Sequence, residues 1–254
     1  MPEATGYVIL GRGRWARKLH PIISGAGRSV VAIEETRQLP SETESNYIGR
    51  LAAAMKSSGA QIAWLCVAPG RHVSLMIRSA IDAGIHVIVE KPWYGSNEDT
   101  QKLQSLARGH DRVIAVHFEY LFLEQAEQWR TEFHPGTGCR FGGRFLLSRS
   151  DRSGIPAIDN LGSHLLAIRE YAVPSSIISE IRCSYELPDE RLVWIDKGNQ
   201  RIASIDLLAH GQPIIQRFIQ KVEAALDGEA FPFDLEFALR VARELHAVQG
   251  RGAS

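Results

Sequence analysis

Five short apolar runs, each followed by a stretch with helical spacing, govern what this chain can fold into. The runs are Tyr7-Val8-Ile9-Leu10, Val30-Val31-Ala32-Ile33, Ile62 to Val67, Ile85 to Val89 and Val113 to Val116. Between them lie Trp15 to Ile23, a helix containing Leu51 to Met55, His72 to Ala83, and a helix from about Asn97 to Ala107. Runs of strand length, rich in β-branched residues, are expected to be buried on both faces, as the strands of a parallel sheet are. Parallel neighbours need right-handed crossovers, and one helix per crossover produces a doubly wound sheet.

Past residue 120 the pattern changes. Phe141 to Leu147, Ile177 to Tyr185, Arg191 to Ile195 and Arg201 to Leu208 read as strands, the last three nearly consecutive. One helix, about Leu161 to Tyr171, interrupts them, and two amphipathic helices, Ile214 to Leu226 and Leu235 to Val248, close the chain. The expected fold class is therefore α/β: an N-terminal Rossmann doubly wound parallel sheet, then a smaller α+β domain with a largely antiparallel sheet. The expected boundary falls at residue 120, with 1–120 as the first domain and 121–254 as the second, the C-terminal helices being free to pack back on the first domain.

Charge removes several function classes. Lys+Arg and Asp+Glu both total 29, so there is no basic excess to hold nucleic acid or an anionic membrane surface. No apolar run reaches the roughly 18–20 residues of a membrane span, and the N-terminus does not resemble a signal peptide. Cys66, Cys139 and Cys183 lie far apart with no CxxC, which suits a reducing, cytoplasmic setting.

The chemistry begins at Gly11-Arg12-Gly13-Arg14-Trp15-Ala16, which matches GxGxxG/A directly after a strand and at the opening of a helix. Gly11 allows the tight turn, Gly13 lets the backbone approach a pyrophosphate, and Ala16 lets the helix pack on the strand. Unpaired N–H groups at the helix start favour phosphate, so Gly11, Gly13, Arg14 and Trp15 are expected to bind the cofactor. Glu34, about twenty residues on, is the candidate acceptor for a ribose hydroxyl and points to NAD. Arg37 and Arg12 are near enough in sequence to hold a 2′-phosphate instead, which keeps NADP open.

A further segment runs Val67-Ala68-Pro69-Gly70-Arg71-His72, then Ala80-x-x-Ala83-Gly84-Ile85-His86-Val87-x-x-Glu90-Lys91-Pro92. It resembles the glucose–fructose oxidoreductase and inositol dehydrogenase family (Gfo/Idh/MocA), whose pattern includes TP-x-x-x-H and, later, EKP. Pro213 to Ile219, Gly228 and the helix from Leu235 resemble that family's closing helices. The resemblance implies an NAD(P)-dependent oxidoreductase. In it Ala68 and Pro69 line the cofactor, Glu90 orients Lys91 or the nicotinamide ribose, and the Lys91–Pro92 bond is cis. Lys91 falls at the carboxyl end of a central strand, where open α/β sheets bind ligands. A lysine there can give a proton to an alkoxide or take one from an alcohol, and partial desolvation favours its neutral form. His72 either lines the nicotinamide end or is a structural residue of a helix start. Trp93 and Tyr94 either wall the pocket or cover the sheet edge.

The second domain carries Asp159-Asn160-Leu161-Gly162-Ser163-His164-Leu165-Leu166-Ala167, which resembles the family's D-x-G-x-H-x-x-D with Asn160 and Ala167 in place of the aspartates. One helical turn separates 160 from 164, so both side chains are expected to face the cofactor. Asparagine binds an oxygen but holds no proton. His164 is thus the second catalytic candidate, as acid/base or anchor, with Asn160 orienting the substrate and Asp159 one residue out of register. Reduction, which needs an acid, is favoured over alcohol oxidation. The substrate is expected to be a small carbonyl, alcohol or imine compound, of sugar, cyclitol or secondary-metabolite type. The alternative is a catalytically silent NAD(P)-binding sensor. Only about 130 residues follow the first domain, fewer than is common in the family, and its sheet often makes oligomer contacts, so a homodimer or higher homo-oligomer is expected. The nine histidines form no HxH or HExxH, and no metal is expected.

Overall fold

Every crossover joins neighbours or near neighbours in the computed structural model, which describes residues 5–33, 35–133, 138–148, 154–210 and 212–251. The chain divides into two compact units, Met1–His117 with Ile219–Leu239, and Phe118–Phe218 with Arg240–Ser254.

In the first unit β1 (Gly6–Leu10), β2 (Ser29–Ile33), β3 (Ile62–Leu65), β4 (His86–Glu90) and β5 (Ile114–His117) form an all-parallel sheet in the order β2-β1-β3-β4-β5. The crossovers are α1 (Arg14–Ser24), α2 (Glu44–Ser57), α3 (Arg71–Asp82) and α4 (Asn97–Gly109). Helix α3 shows why they dock: Val73, Met76, Ile77, Ala80 and Ile81 recur at one-turn spacing and are all buried. Strand order reverses between β1 and β3, and that switch point opens the crevice in which such sheets bind ligands.

Strands β1, β3 and β5 are buried along their whole length. Strand β2 is not: it is the sheet edge, partnered on one side only, and Val31 is 43% exposed. The opposite edge is covered by the chain's own later segment. The Val116 N–H of β5 donates to the Phe233 carbonyl at 2.7 Å, which caps an otherwise open strand. Glu223, in the C-terminal half of α7 (Gln212–Leu226), accepts from the Tyr7 hydroxyl at 2.8 Å and pairs with Arg28 at 2.5 Å. Burial first, and the Glu223 charge second, push the Tyr7 phenol far up, so it stays a hydrogen-bond donor.

In the second unit β6 (Cys139–Ser148), β7 (Ile177–Ser184), β8 (Glu186–Lys197) and β9 (Gln200–Asp206) form a mixed sheet in the order β7-β6-β8-β9. Two of its three pairings are antiparallel, as the hairpin-like spacing suggests. The third is parallel, because α6 (Ser163–Ala172) lies between β6 and β7 and returns the chain in the same direction. One residue, Tyr185, separates β7 from β8, yet these strands lie on opposite sides of β6; the chain crosses β6 at its Ser148 end. Gly142 makes room for Trp194 opposite it, since a Cβ there would stand 2.3 Å from the indole. Helix α5 (Glu124–Glu132) buries only Ala126 and Trp129 and carries too little apolar periodicity to be read from sequence. Helix α8 (Leu235–Arg251) ends the described chain.

Cys66, Cys139 and Cys183 are all free thiols. Among the described residues no helix is long and apolar enough to cross a membrane, and no group of His, Cys, Asp or Glu is placed to hold a metal ion.

Candidate active site

The turn after β1 is shaped for close approach. Gly11 has φ +115, and a Cβ on it would stand 2.5 Å from the Cys66 carbonyl oxygen. Its N–H donates to Ile33 O at 2.9 Å, which ties the turn to the end of β2. Gly13 is the N-cap of α1, offers no side-chain cap, and has open space where a Cβ would be. No acid occupies the first turn of α1, and Arg12 and Arg14 are exposed beside it. The helix dipole and its orphan N–H groups are therefore left for an anion.

Trp15 leaves this turn in the other direction. Its Nε1 donates to Glu90 Oε1 at 2.6 Å, and Trp64 Nε1 from β3 donates to the same oxygen at 2.8 Å. His117 Nδ1, at the end of β5, lies 3.1 Å from Oε1 and 3.3 Å from Oε2. An ionised carboxylate only accepts, so this ring nitrogen carries its proton toward Glu90. Trp15 stacks on the same imidazole at 5.6 Å, and Trp64 meets it edge-on at 5.1 Å. Burial alone would raise the Glu90 carboxyl. The charge of His117 and the three donated hydrogen bonds outweigh it and hold Glu90 below the ordinary carboxylate range. The phosphate-type turn and the carboxyl ends of β3, β4 and β5 are thus joined through one carboxylate. Trp64 and His117 are absent from the sequence reading. The signal for His117 is register: it pairs with Glu90 at the ends of adjacent strands.

Lys91 follows directly, half-buried, and the Lys91–Pro92 peptide bond is cis. Beside it a shallow cleft is lined by Val67, Pro69, Gly70, Glu90, Pro92 and Trp93. Trp93 is buried and donates to Thr100 Oγ1 at 2.9 Å, whereas Tyr94 is 44% exposed at the cleft mouth. Ala68 is exposed at the end of the same loop. His72 sits in the first turn of α3 with its ring folded toward Gly70. The Cys66 thiol is pushed well up by burial and then by Glu90, which removes it as a nucleophile. Glu34 lies outside the described residues; Arg37 is exposed beyond the end of β2.

The second unit holds the other candidates. Residues Ile158–Gly162 form a π-helical turn ahead of α6, with Asn160 inside it and His164 in the first turn of α6. Asn160 Nδ2 donates to the Tyr185 hydroxyl at 2.7 Å, at the point where the chain crosses β6. His164 is 7% exposed and packs on Tyr120 at 5.0 Å and Phe145 at 5.4 Å, with its Nδ1 3.7 Å from Glu119. Asp159 is held by Gln249 Nε2 at 2.6 Å, and Ala167 is buried. Tyr120, Tyr185 and Arg191 also belong to this cluster and carry no motif that marks them in sequence.

Residues 5–118 match the family model of Gfo/Idh/MocA, described as an oxidoreductase family with an NAD-binding Rossmann fold. The first domain belongs to this family. Biliverdin reductase A of Mus musculus is 28% identical over 162 residues, 61% of this chain and 54% of that protein, so the chain spans about half the length of this curated relative. Among solved structures, UDP-N-acetylglucosamine 3-dehydrogenase GnnA from Acidithiobacillus ferrooxidans superposes with a TM-score of 0.75 at 14% identity, covering 96% of each chain. The WlbA dehydrogenase from Thermus thermophilus, in complex with NAD and UDP-GlcNAcA, gives 0.70 at 14% identity, with 95% of this chain and 93% of that one covered. These likenesses extend the shared fold across both units. The family's dinucleotide fits the residues present: the uncapped start of α1 and the open space at Gly13 form a cradle that any larger side chain would fill.

Proposed function

We propose that this Gfo/Idh/MocA-family protein is an NAD(P)-dependent oxidoreductase acting on a small carbonyl, alcohol or imine compound, in the reductive direction, with NAD(H) preferred. The observation that carries this reading is Lys91, half-buried at the carboxyl end of β4 beside the cleft and next to a fixed carboxylate. The bound nicotinamide supplies the hydride. Gly11, Gly13 and the start of α1, with Arg14, hold the pyrophosphate, and Ala68, Pro69 and His72 line the rest of the cofactor. Lys91 Nζ gives a proton to the substrate oxygen or nitrogen as negative charge develops there. His164 and Asn160 orient the substrate, since an amide at 160 binds an oxygen without exchanging a proton. The preference for NAD(H) rests on the sequence, where Glu34 follows the glycine turn by about twenty residues and its carboxylate suits a ribose hydroxyl. A homodimer or larger homo-oligomer is part of the proposal, on the family resemblance of the second domain alone.

The second reading, a silent dinucleotide-binding sensor, is favoured by Asn160 and Ala167, which leave the second unit's motif without its carboxylates. A panel of sugars, cyclitols, keto acids and imines, scanned for loss of reduced-nicotinamide absorbance, separates the two. The enzyme reading expects turnover with at least one class, abolished without protein. Binding of dinucleotide with no turnover across the panel supports the sensor.

A further inference from the structure

We propose that Arg191 and the Tyr120 hydroxyl form a carboxylate-binding subsite beside His164, so that the substrate of the reaction proposed above carries a carboxylate. That last step rests on the functional reading; the subsite stands on the second unit alone.

Arg191 lies on β8 directly opposite Phe145 of β6. Its guanidinium carbon is 5.0 Å from the Phe145 ring centroid, and its Nη1 donates to the Tyr120 hydroxyl oxygen at 3.0 Å. The same two rings enclose His164. Cation and imidazole therefore share both aromatic neighbours. A half-buried guanidinium loses hydration and needs an anion or several acceptors in return. Among the described residues Arg191 has one acceptor, a neutral phenol; it forms no ion pair, and its Nε is buried without a partner. Arg144, elsewhere on the same sheet, shows the ordinary solution: its guanidinium forks onto Glu180 at 2.8 and 3.2 Å. Glu119, the acid of the cluster, lies against His164.

The Tyr120 oxygen takes the arginine N–H, which leaves its own O–H to donate. Burial first, and the Glu119 charge second, push that phenol up to about 12, so the hydrogen stays on at neutral pH. A guanidinium edge next to a phenol O–H presents convergent donors for the two oxygens of one carboxylate. One cation balances one negative charge. A phosphate dianion would bring a second charge that the single guanidinium does not balance.

The test uses the full chain, with malonate, acetate and inorganic phosphate titrated by calorimetry at constant ionic strength and near-neutral pH. Near-ultraviolet circular dichroism checks that each variant is folded. Malonate or acetate is expected to bind saturably in the millimolar range. Arg191→Gln should weaken that binding about tenfold or more, and Arg191→Lys less, because the charge survives while the planar fork is lost. Tyr120→Phe, which removes one donor and keeps the ring, should weaken it about threefold or more. If Arg191→Gln does not fold, the other two variants decide. No carboxylate binding by folded wild type, equal binding by the variants, or Arg191-dependent binding of phosphate alone overturns the subsite. NADH is titrated into the same samples. NADH binding without carboxylate binding defeats the subsite only. Carboxylate binding without NADH binding defeats the functional reading and leaves the subsite in place.

Discussion

Lys91→Met is expected to lower turnover by about 10²- to 10⁴-fold, roughly 3–5 kcal/mol of transition-state stabilisation, while dinucleotide affinity changes little. Methionine keeps the length and apolar stem of the lysine, so the half-buried position at the end of β4 stays filled. What is lost is the group that gives up a proton. The proposed pyrophosphate cradle consists of Gly11, Gly13 and the start of α1, none of which depends on the lysine ammonium. Steady-state rates and NADH binding, measured on the same preparation, separate the two effects. Unchanged turnover on the true substrate means that Lys91 is not the proton donor.

Glu90→Leu is expected to cost about 3–5 kcal/mol of stability, as the loss of one partner from a buried ionic cluster typically does. Two indole N–H groups and the His117 ring converge on this carboxylate, and Glu90→Leu removes the acceptor they share. Glu90→Gln keeps an acceptor oxygen but not the charge, and a smaller loss follows. The pH dependence has a definite sign. The folded-state carboxyl lies below its ordinary value, 4.5, so its contribution is complete above that value and is lost as pH falls through the lowered one. Urea unfolding of wild type and Glu90→Gln across the acidic range measures this, and the variant should show a shallower acid-side slope. Equal stability of wild type and Glu90→Leu at neutral pH means that the four-residue cluster is not a structural tie.

Much of the first unit is legible in the sequence because periodicity and chemistry agree there. Each apolar run became a strand within one or two residues, and the glycine turn sits where a run gives way to helical spacing. Strand β2 is the instructive exception. Its run looks as apolar as the others, but burial depends on having neighbours on both sides, which a local pattern does not encode. In the second unit three nearly consecutive strands suggest a largely antiparallel sheet, and two of the three pairings are antiparallel. The helix between β6 and β7 makes one pairing parallel, and strand order is a long-range property. The site divides in the same way. Lys91, Gly11 and Gly13 carry motifs, whereas Trp64, His117, Tyr120 and Arg191 meet their partners only after folding. The π-helical turn at Ile158–Gly162 also escapes a reading that assumes α spacing.

The most direct test of the central claim is a titration of the purified chain with NADH and NADPH, followed by tryptophan fluorescence and repeated with Trp15→Phe. Trp15 sits between the phosphate-type turn and Glu90, so dinucleotide entering the crevice should change its emission. Saturable binding below millimolar concentration, tighter for NADH, with much of the signal lost in Trp15→Phe, is the predicted result. Absence of binding by either dinucleotide at concentrations approaching millimolar would contradict the account, and the enzyme and sensor readings would fail together.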